Sequence, residues 1–281
     1  MYCTKQNILP LEPTLEQAIE FLVHLFHNEG LTYNQICSAR SALSSILFLN
    51  GDKRFGEYPL VKRVLKGMFQ IKPVFPKYNI IWNVKSVFDY LRYLPHQDDL
   101  PLNVLSKKLV LLMSLLAGGQ RMQTIHLINL SDIKVFPNKI IVPILEKIKQ
   151  TRPGKHMKPL EFHQYPLEPK LCVPSNLKSY LEKTIELRSN YSLFISYIKP
   201  HKSVSKDTIS RWCKDILKLS GIDVNKYSSH SCRSAVSSYL KDRVKISNLL
   251  DAAGWSNEQT FARFYRKEIE QYVDLTLVNS S

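Results

Sequence analysis

Four residues of this chain could together catalyse phosphoryl transfer without a metal ion. His230 and Arg233 are three positions apart, so their side chains would lie on the same face of a helix. Tyr265 lies near the C-terminal end, and Arg121 closes a Gly-Gly-Gln-Arg segment far upstream. Guanidinium groups bind the nonbridging oxygens of a phosphodiester bidentately and stay charged at any working pH. Because a tyrosine hydroxyl can act as a nucleophile, the set predicts phosphodiester cleavage through a covalent phosphotyrosine.

Each of these residues, taken alone, has a simpler structural explanation. Arg121 by itself is better explained as a surface cap after a buried helix, and Tyr265 is one of 14 tyrosines. Trp255 is ordinarily a core aromatic, although an indole N–H can also donate a hydrogen bond to a phosphate. The interpretation therefore depends on the order of these residues along the chain: His230 and Arg233 come first, then an apolar helical stretch, and then a Gly-Trp pair.

The charge of the chain favours a polyanionic partner. The 281 residues carry 39 Lys and Arg against 24 Asp and Glu, which gives a formal net charge of +15 at pH 7. Of this excess, +12 falls in residues 81–281, the part that holds the suspected chemistry. The alternative is a basic protein with an ordinary solvated surface. We favour nucleic acid as the partner, because basic excess of this size is typical of proteins that bind it.

Several other classes of function are disfavoured. The longest apolar run, residues 109–117, is shorter than the roughly 20 residues that a membrane span needs, and the N-terminal residues do not resemble a signal peptide. The five cysteines form no CxxC pair, which favours reduced thiols and gives no zinc spacing. Neither a carboxylate pair for two metal ions nor a Gly-Lys-Ser/Thr phosphate loop occurs. We therefore expect no metal, no other cofactor and no membrane partner.

The apolar periodicity predicts a mainly α-helical chain with a small antiparallel β-sheet. A proline-containing stretch at 71–77 indicates a linker. We therefore expect a helical domain at 1–75 and a second domain at 76–281. The predicted helices of the first domain are 15–26, 33–49 and 59–69. Those of the second domain are 84–94, 101–117, 122–130, 177–188, 206–220, 230–241 and 246–253. Two strands, 139–144 and 157–163, are predicted on either side of a basic turn.

The motifs, in this order, resemble those of the tyrosine recombinase (phage-integrase-like) family. Residues 115–130, an apolar helix with a Gly-Gly turn before Arg121, resemble the family's first conserved box. Residues 230–255 resemble the second box, and Tyr265 matches the position of the nucleophile. The family often has an acidic residue three positions after the first arginine, whereas this chain has Thr124, which removes a possible anchor for the arginine.

The resemblance implies a role for each residue of the site. Arg121, Arg233, His230 and Trp255 would bind the scissile phosphate, and Tyr265 would attack it. The product would be a 3′-phosphotyrosine. Another DNA end could attack it and so reverse the cleavage without ATP.

A lysine in the turn between the two strands is expected to be the general acid that protonates the leaving 5′-hydroxyl. Residues 146–158 offer Lys147, Lys149, Lys155 and Lys158, and the choice stays open at this point. Lys149 matches the family pattern best, because a polar residue and a threonine follow it.

The resemblance also implies an architecture and partners. Domain 1–75 would be a DNA core-binding domain, expected to be an N-terminally truncated copy, and domain 76–281 would be catalytic. Together they would clamp double-stranded DNA. Four protomers would then join two DNA sites by exchanging the C-terminal segment 268–278, whose apolar residues could dock on a neighbour. The residues expected to contact DNA are Arg40, Lys62, Arg63, Lys66, Arg152, Lys155 and Lys158.

Within the family, residues 250–265 are most similar to recombinases of eukaryotic mobile elements, of the DIRS-like and Crypton-like kinds. This similarity implies DNA integration in the nucleus. Two alternatives are kept: a domesticated DNA-binding protein of the same fold that no longer transfers strands, and a relaxing topoisomerase with the same chemistry.

Overall fold

The chain forms two compact units, Met1–Lys77 and Tyr78–Ser281. The computed structural model describes residues 2–49, 53–75, 78–148, 151, 154, 156–241, 243–245, 247 and 267–270. The division between the units falls two residues after the predicted boundary. The prediction of a mainly helical chain with a small antiparallel sheet is confirmed.

The first unit is mainly helical in its described residues, with one isolated antiparallel bridge between Phe48 and Arg54. Its helices are α1 (Tyr2–Gln6), α2 (Leu15–His27), α3 (Tyr33–Ile46) and α4 (Pro59–Ile71). Helices α2 and α3 each begin at a capping box, in which Thr14 or Thr32 pairs with a glutamine three residues later. Helix α4 continues into the predicted linker and ends before Lys72, because a residue that precedes proline disfavours the helical conformation. The side chains buried completely at the centre of this unit are Leu22, Ile36, Phe55 and Val61.

The second unit is built around one buried helix. Its helices are α5 (Val84–Tyr93), α6 (Leu102–Leu116), α7 (Met122–His126), α8 (Val173–Thr184), α9 (Lys206–Leu219) and α10 (Ser231–Leu240). Helix α6 packs against both α8 and α9, and most of its side chains are buried. An apolar pattern on every face predicts this position, because such a helix gains free energy only when it is surrounded by other elements.

Several helix boundaries differ from the prediction by two to four residues, and one predicted helix is mostly untested. Helix α3 ends at Ile46 instead of residue 49, and α8 ends at Thr184 instead of residue 188. Helix α7 ends at His126, and a short 3-10 helix at Leu130–Asp132 takes the place of its last predicted turn. Helix α8 begins at Val173, four residues early, with Pro174 in its first turn, where the missing N–H costs no hydrogen bond. The predicted helix 246–253 lies outside the described residues, apart from residue 247.

The antiparallel sheet has the order β2–β3–β4, with β2 at Lys134–Val135, β3 at Lys139–Val142 and β4 at Leu160–His163. The predicted strands correspond to β3 and β4, which pair with Val142 opposite Leu160 and Ile140 opposite Phe162. These four side chains are buried, and their alternation with more exposed neighbours places one face of the sheet against the core.

A second, parallel pair joins β1 (Ile80–Ile81) to β5 (Glu268–Ile269). Its register sets Ile80 beside Glu268 and Ile81 beside Ile269. The pair brings a segment from near the C-terminal end back to the beginning of the second unit.

Candidate active site

The turn that precedes Arg121 packs directly against α10. Gly118 and Gly119 both have positive φ angles, 75° and 76°, which side chains other than glycine rarely adopt. A Cβ atom on Gly119 would lie 2.8 Å from the Cα of Arg233 and 3.3 Å from the carbonyl oxygen of Cys232. Glycine is therefore required at this position both by its backbone conformation and by the closeness of α10.

The same turn is held in place from the side of α6. The Ser114 hydroxyl donates a hydrogen bond to the Gln120 carbonyl at 2.9 Å, and the Gln120 N–H donates to the Ser114 carbonyl at 2.9 Å. The buried Gln120 side chain donates to the Ala117 carbonyl at 3.1 Å. Arg121, the N-cap residue of α7, thus follows a turn with a fixed direction.

The two arginines occupy different environments. Arg233 is 1% exposed, and its Nη1 donates to the Gly119 carbonyl at 3.3 Å. Arg121 is half-buried, and its buried Nη1 has no hydrogen-bond partner within the part of the chain that the structure describes. Leaving a buried donor unsatisfied costs about 1–3 kcal/mol. An anionic oxygen would remove that cost for Arg121.

Thr124 stands where the family often has an acidic residue, three positions after Arg121. It is buried on α7. Among the described residues no carboxylate pairs with Arg121, so its positive charge is available for an anionic ligand.

Helix α10 is fixed at its first turn by two further contacts. The indole N–H of Trp82 donates to the Ser231 hydroxyl at 2.8 Å, and both residues are completely buried. The Sγ atoms of Cys232 and Cys213 are 3.6 Å apart, and both thiols are free. The hydrogen bond with Cys232, followed by burial, raises the pKa of the Cys213 thiol well above its usual value. These contacts lock the start of the helix that carries Arg233.

His230 is exposed at the N-cap position of α10. Its carbonyl accepts a hydrogen bond from the Arg233 N–H at 3.2 Å, which closes the first turn. Both residues therefore belong to the first turn of α10, but their surroundings differ: the histidine at the N-cap is exposed and the arginine is buried, so a shared helix face is not observed.

The segment that follows Tyr265 is bound to α10 and to β1. The N–H of Lys267 donates to the Ser238 hydroxyl at 2.9 Å, and the N–H of Glu270 donates to the Ile81 carbonyl at 2.7 Å. Tyr227 donates its hydroxyl to the Glu270 carboxylate at 2.7 Å. The chain beyond the predicted nucleophile is thus attached to the helix of Arg233.

Other predicted site residues are not brought together by the described structure. Lys147 and Lys158 are exposed between β3 and β4. Lys62, Arg63 and Lys66 are exposed on α4. Arg40 is half-buried and lies against Gly56, since a Cβ there would be 2.9 Å from its Nη1. The predicted residues that lie outside the described part of the chain are Lys149, Arg152, Lys155, Trp255 and Tyr265.

The residues that hold the candidate site in place are not predicted from the sequence. The glycine pair is predicted as a turn before Arg121 but not as a close contact with a second helix, although two adjacent glycines before an arginine can indicate a close backbone approach. Trp82, Ser238, Tyr227 and Glu270 gave no local signal, because their roles depend on partners that are distant in the sequence.

Within the described residues, no three His, Cys, Asp or Glu side chains form a group that could hold a metal ion. None of the described helices has both the length and the apolar character of a membrane span.

Comparisons with known proteins agree with the architecture. The chain is similar to the XerH site-specific recombinase bound to palindromic difH substrate in a post-cleavage complex, with a TM-score of 0.58 and 15% identity over 94% of this chain and 73% of that one. It is also similar to the Tn1549 transposon integrase in complex with transposon right-end DNA, with a TM-score of 0.58 and 15% identity over 95% and 84% of the two chains.

A lambda integrase tetramer bound to a Holliday junction has a TM-score of 0.51 and 14% identity over 97% of this chain and 72% of that one. A sequence search among curated proteins gave no match. The sequence profile described as the Phage integrase family matches residues 88–271, which include α10 and the Gly-Gly turn. The chain therefore belongs to the phage integrase family, the tyrosine recombinases.

Proposed function

We propose that this protein is a DNA strand transferase that cuts and rejoins double-stranded DNA through a 3′-phosphotyrosine on Tyr265, without metal ions or ATP. The observation that carries the proposal is the contact between Gly119 and Arg233, which joins the turn before Arg121 to the helix of the second arginine. Family membership supports the same chemistry.

The proposed phosphate site consists of Arg121, Arg233, His230 and Trp255. Attack on a phosphodiester increases the negative charge on its nonbridging oxygens, and donors held ready for that charge are usually the largest catalytic contribution. Arg121 suits this role because its buried Nη1 has no hydrogen-bond partner among the described residues. His230 is exposed one turn before Arg233, so a bound backbone can reach it.

The proposed reaction balances with the protein's own side chains. The phenol oxygen of Tyr265 attacks phosphorus, its proton passes to His230, and the P–O5′ bond breaks. A lysine of the β3–β4 turn, which we assign to Lys149, gives a proton to the leaving 5′-oxygen. Lys147, Lys155 and Lys158 are the alternatives; of these the structure describes Lys147 and Lys158, which are exposed between β3 and β4. Because the phosphotyrosine is a diester, a second 5′-hydroxyl can reverse the step.

We propose that both units bind DNA. In the first unit, Lys62, Arg63 and Lys66 are exposed on α4, whereas Val61, Leu65 and Met68 of the same helix are buried. In the second unit, the excess of basic residues supports backbone contacts by Lys158, Arg152 and Lys155. We also propose a tetramer on two DNA sites that is joined by the C-terminal segment 268–278. Because Glu268 and Ile269 pair with β1 of their own chain, the exchange would involve only the part of this segment that follows Glu270. We further propose a mobile-element origin of the DIRS or Crypton kind, and action in the nucleus.

Trapping the covalent intermediate tests the proposal. The full chain is incubated with nicked suicide duplexes that carry a randomised central sequence, and the products are separated on a denaturing gel. We expect a protein–DNA adduct that disappears in Tyr265→Phe and persists in the control Tyr272→Phe. No adduct from the wild-type chain would favour the domesticated DNA-binding alternative, and an adduct from Tyr265→Phe would refute the assignment of the nucleophile.

A further inference from the structure

We infer that Glu270 is a positioning residue, which fastens the chain behind Tyr265 to β1 and to the loop before α10 and so holds the tyrosine near the proposed phosphate site. The inference rests on the proposed function. It assigns a role to four residues outside the catalytic set: Tyr227, Lys226, Ser238 and Glu270.

The carboxylate of Glu270 is held by two donors on one short stretch of chain. Its Oε1 accepts a hydrogen bond from the Tyr227 hydroxyl at 2.7 Å and one from the Lys226 ammonium at 3.1 Å. The backbone N–H of Glu270 donates to the Ile81 carbonyl at 2.7 Å. The side chain and the backbone of Glu270 therefore bind different parts of the second unit, and both are held in place.

Tyr227 is suited to hold a carboxylate. It is 2% exposed, and its ring packs edge-on against Tyr78 with a centroid separation of 5.2 Å. Burial raises the pKa of its hydroxyl and, together with Glu270, outweighs the lowering by Lys226, so the phenol keeps its proton. The same hydroxyl lies 2.9 Å from the Ile80 carbonyl of β1, so its single proton is shared between two acceptors, the carboxylate and this carbonyl.

The anchored segment begins very close to the nucleophile in the sequence. The N–H of Lys267 donates to Ser238 on α10, and only one residue separates Lys267 from Tyr265. Two residues span at most about 7 Å. Ser238 follows Arg233 by five positions on the same helix, a rise of about 7.5 Å. The anchor therefore limits Tyr265 to the neighbourhood of the helix that carries Arg233.

The chain offers a matched control. Glu268 is an exposed carboxylate two residues before Glu270, and among the described residues no hydrogen bond or ion pair involves its side chain. Glu268→Gln removes the same charge from the same strand without removing the anchor. Glu270→Gln keeps an oxygen that can accept from Tyr227 and loses only the ion pair with Lys226.

The experiment compares the full-length variants by amide hydrogen exchange, by DNA affinity and by the rate of adduct formation on suicide duplexes. For Glu270→Ala and Tyr227→Phe we expect at least tenfold faster exchange at residues 267–270 and at least tenfold slower adduct formation, with DNA affinity within twofold of wild type. Glu270→Gln should regain most of the rate, and Glu268→Gln should match wild type. The double variant Tyr227→Phe/Glu270→Ala should be no slower than either single variant.

A wild-type rate in Glu270→Ala would overturn the inference, as would an equal loss of rate and DNA affinity. If the wild-type chain itself forms no adduct, the proposed function fails, and the exchange data still report whether Glu270 anchors the segment.

Discussion

Gly119 lies directly against Arg233, and the two residues are joined by a hydrogen bond from the arginine Nη1 to the glycine carbonyl at 3.3 Å. This contact brings together in space two motifs that are distant in the sequence. A helix that presents an arginine can pack so closely only on a residue without a side chain, and the positive φ of Gly119 meets the same requirement.

Gly119→Ala should therefore disrupt the site more than an ordinary glycine substitution does. The new Cβ would lie 2.8 Å from the Arg233 backbone, and neither the turn nor α10 can move freely. Backbone strain and overpacking together should cost about 2–4 kcal/mol of unfolding free energy. Adduct formation should fall at least a hundredfold.

Urea denaturation and suicide-DNA cleavage of Gly119→Ala measure these two losses. The control is Gly221→Ala, which has a φ of +80° and open space around the new methyl group. It should lose only about 1–2 kcal/mol from backbone strain and keep its activity. If the two variants lost equal unfolding free energy and equal activity, the contact between Gly119 and Arg233 would contribute nothing beyond the backbone conformation of the glycine.

The features that sequence reasoning predicted are those encoded locally. The apolar run of α6 predicts a buried helix, because burial on every face requires apolar residues on every face. The spacing of His230 and Arg233 predicts one shared helical turn. The apolar pattern predicts that α8 begins at residue 177, whereas the helix begins at Val173. Pro174 is a usual signal for a helix start, so the sequence contains the information for the correct boundary.

The remaining features depend on tertiary contacts that leave no local trace. Strands β1 and β5 have two residues each, too few for an alternating pattern. Tyr227 and Glu270 are an ordinary tyrosine and glutamate until folding places them 2.7 Å apart. The motifs of the proposed site are therefore visible in the sequence, whereas the residues that hold them in place are not.

Arg121→Lys tests whether the bidentate geometry of the arginine, and not only its charge, contributes to phosphate binding. Lysine keeps the positive charge but cannot bind two phosphate oxygens with a planar fork. We expect a loss of adduct formation of roughly a hundred- to a thousandfold, the usual effect of removing one preorganised donor, with DNA affinity reduced only a few fold.

Single-turnover cleavage and a binding assay in the same buffer check this expectation. Arg92→Lys is the matched control, because Arg92 is a partly exposed arginine of the same unit that pairs with Asp89 and Glu168. It should cleave like wild type. A fully active Arg121→Lys protein would remove Arg121 from the phosphate site.

The basic residues on α4 predict a defined dependence of DNA binding on salt. Each phosphate contact contributes about 0.9 to the slope of log K against log salt concentration. Changing Lys62, Arg63 and Lys66 to glutamine should lower that slope by roughly three if all three bind phosphates. Lys5→Gln, an exposed substitution on α1, is the control and should leave the slope unchanged. An unaltered slope in the triple variant would show that α4 does not contact the DNA backbone.

Lys108 predicts a stability effect that is independent of DNA. It is completely buried on α6, its Nζ has no hydrogen-bond partner among the described residues, and burial, with the nearby charge of Lys170, lowers its pKa to about 8. The unfolded chain has the ordinary lysine pKa of about 10.4 and so binds more protons than the folded chain between these two values. Unfolding free energy should therefore rise with pH from about 8 to about 10.4.

Below pH 8 the folded protein carries the full cost of a buried ammonium, so Lys108→Met should stabilise it at pH 7. We expect a gain of about 1–3 kcal/mol, because an apolar side chain of similar length removes the desolvation cost. Lys107→Met is the control: Lys107 pairs with Asp215 at 2.7 Å, so its loss should be neutral or slightly destabilising. Urea unfolding of all three proteins at pH 7 and pH 10 gives the comparison. The advantage of Lys108→Met should shrink at the higher pH, and a gain that does not change with pH would show that packing, not charge, is responsible.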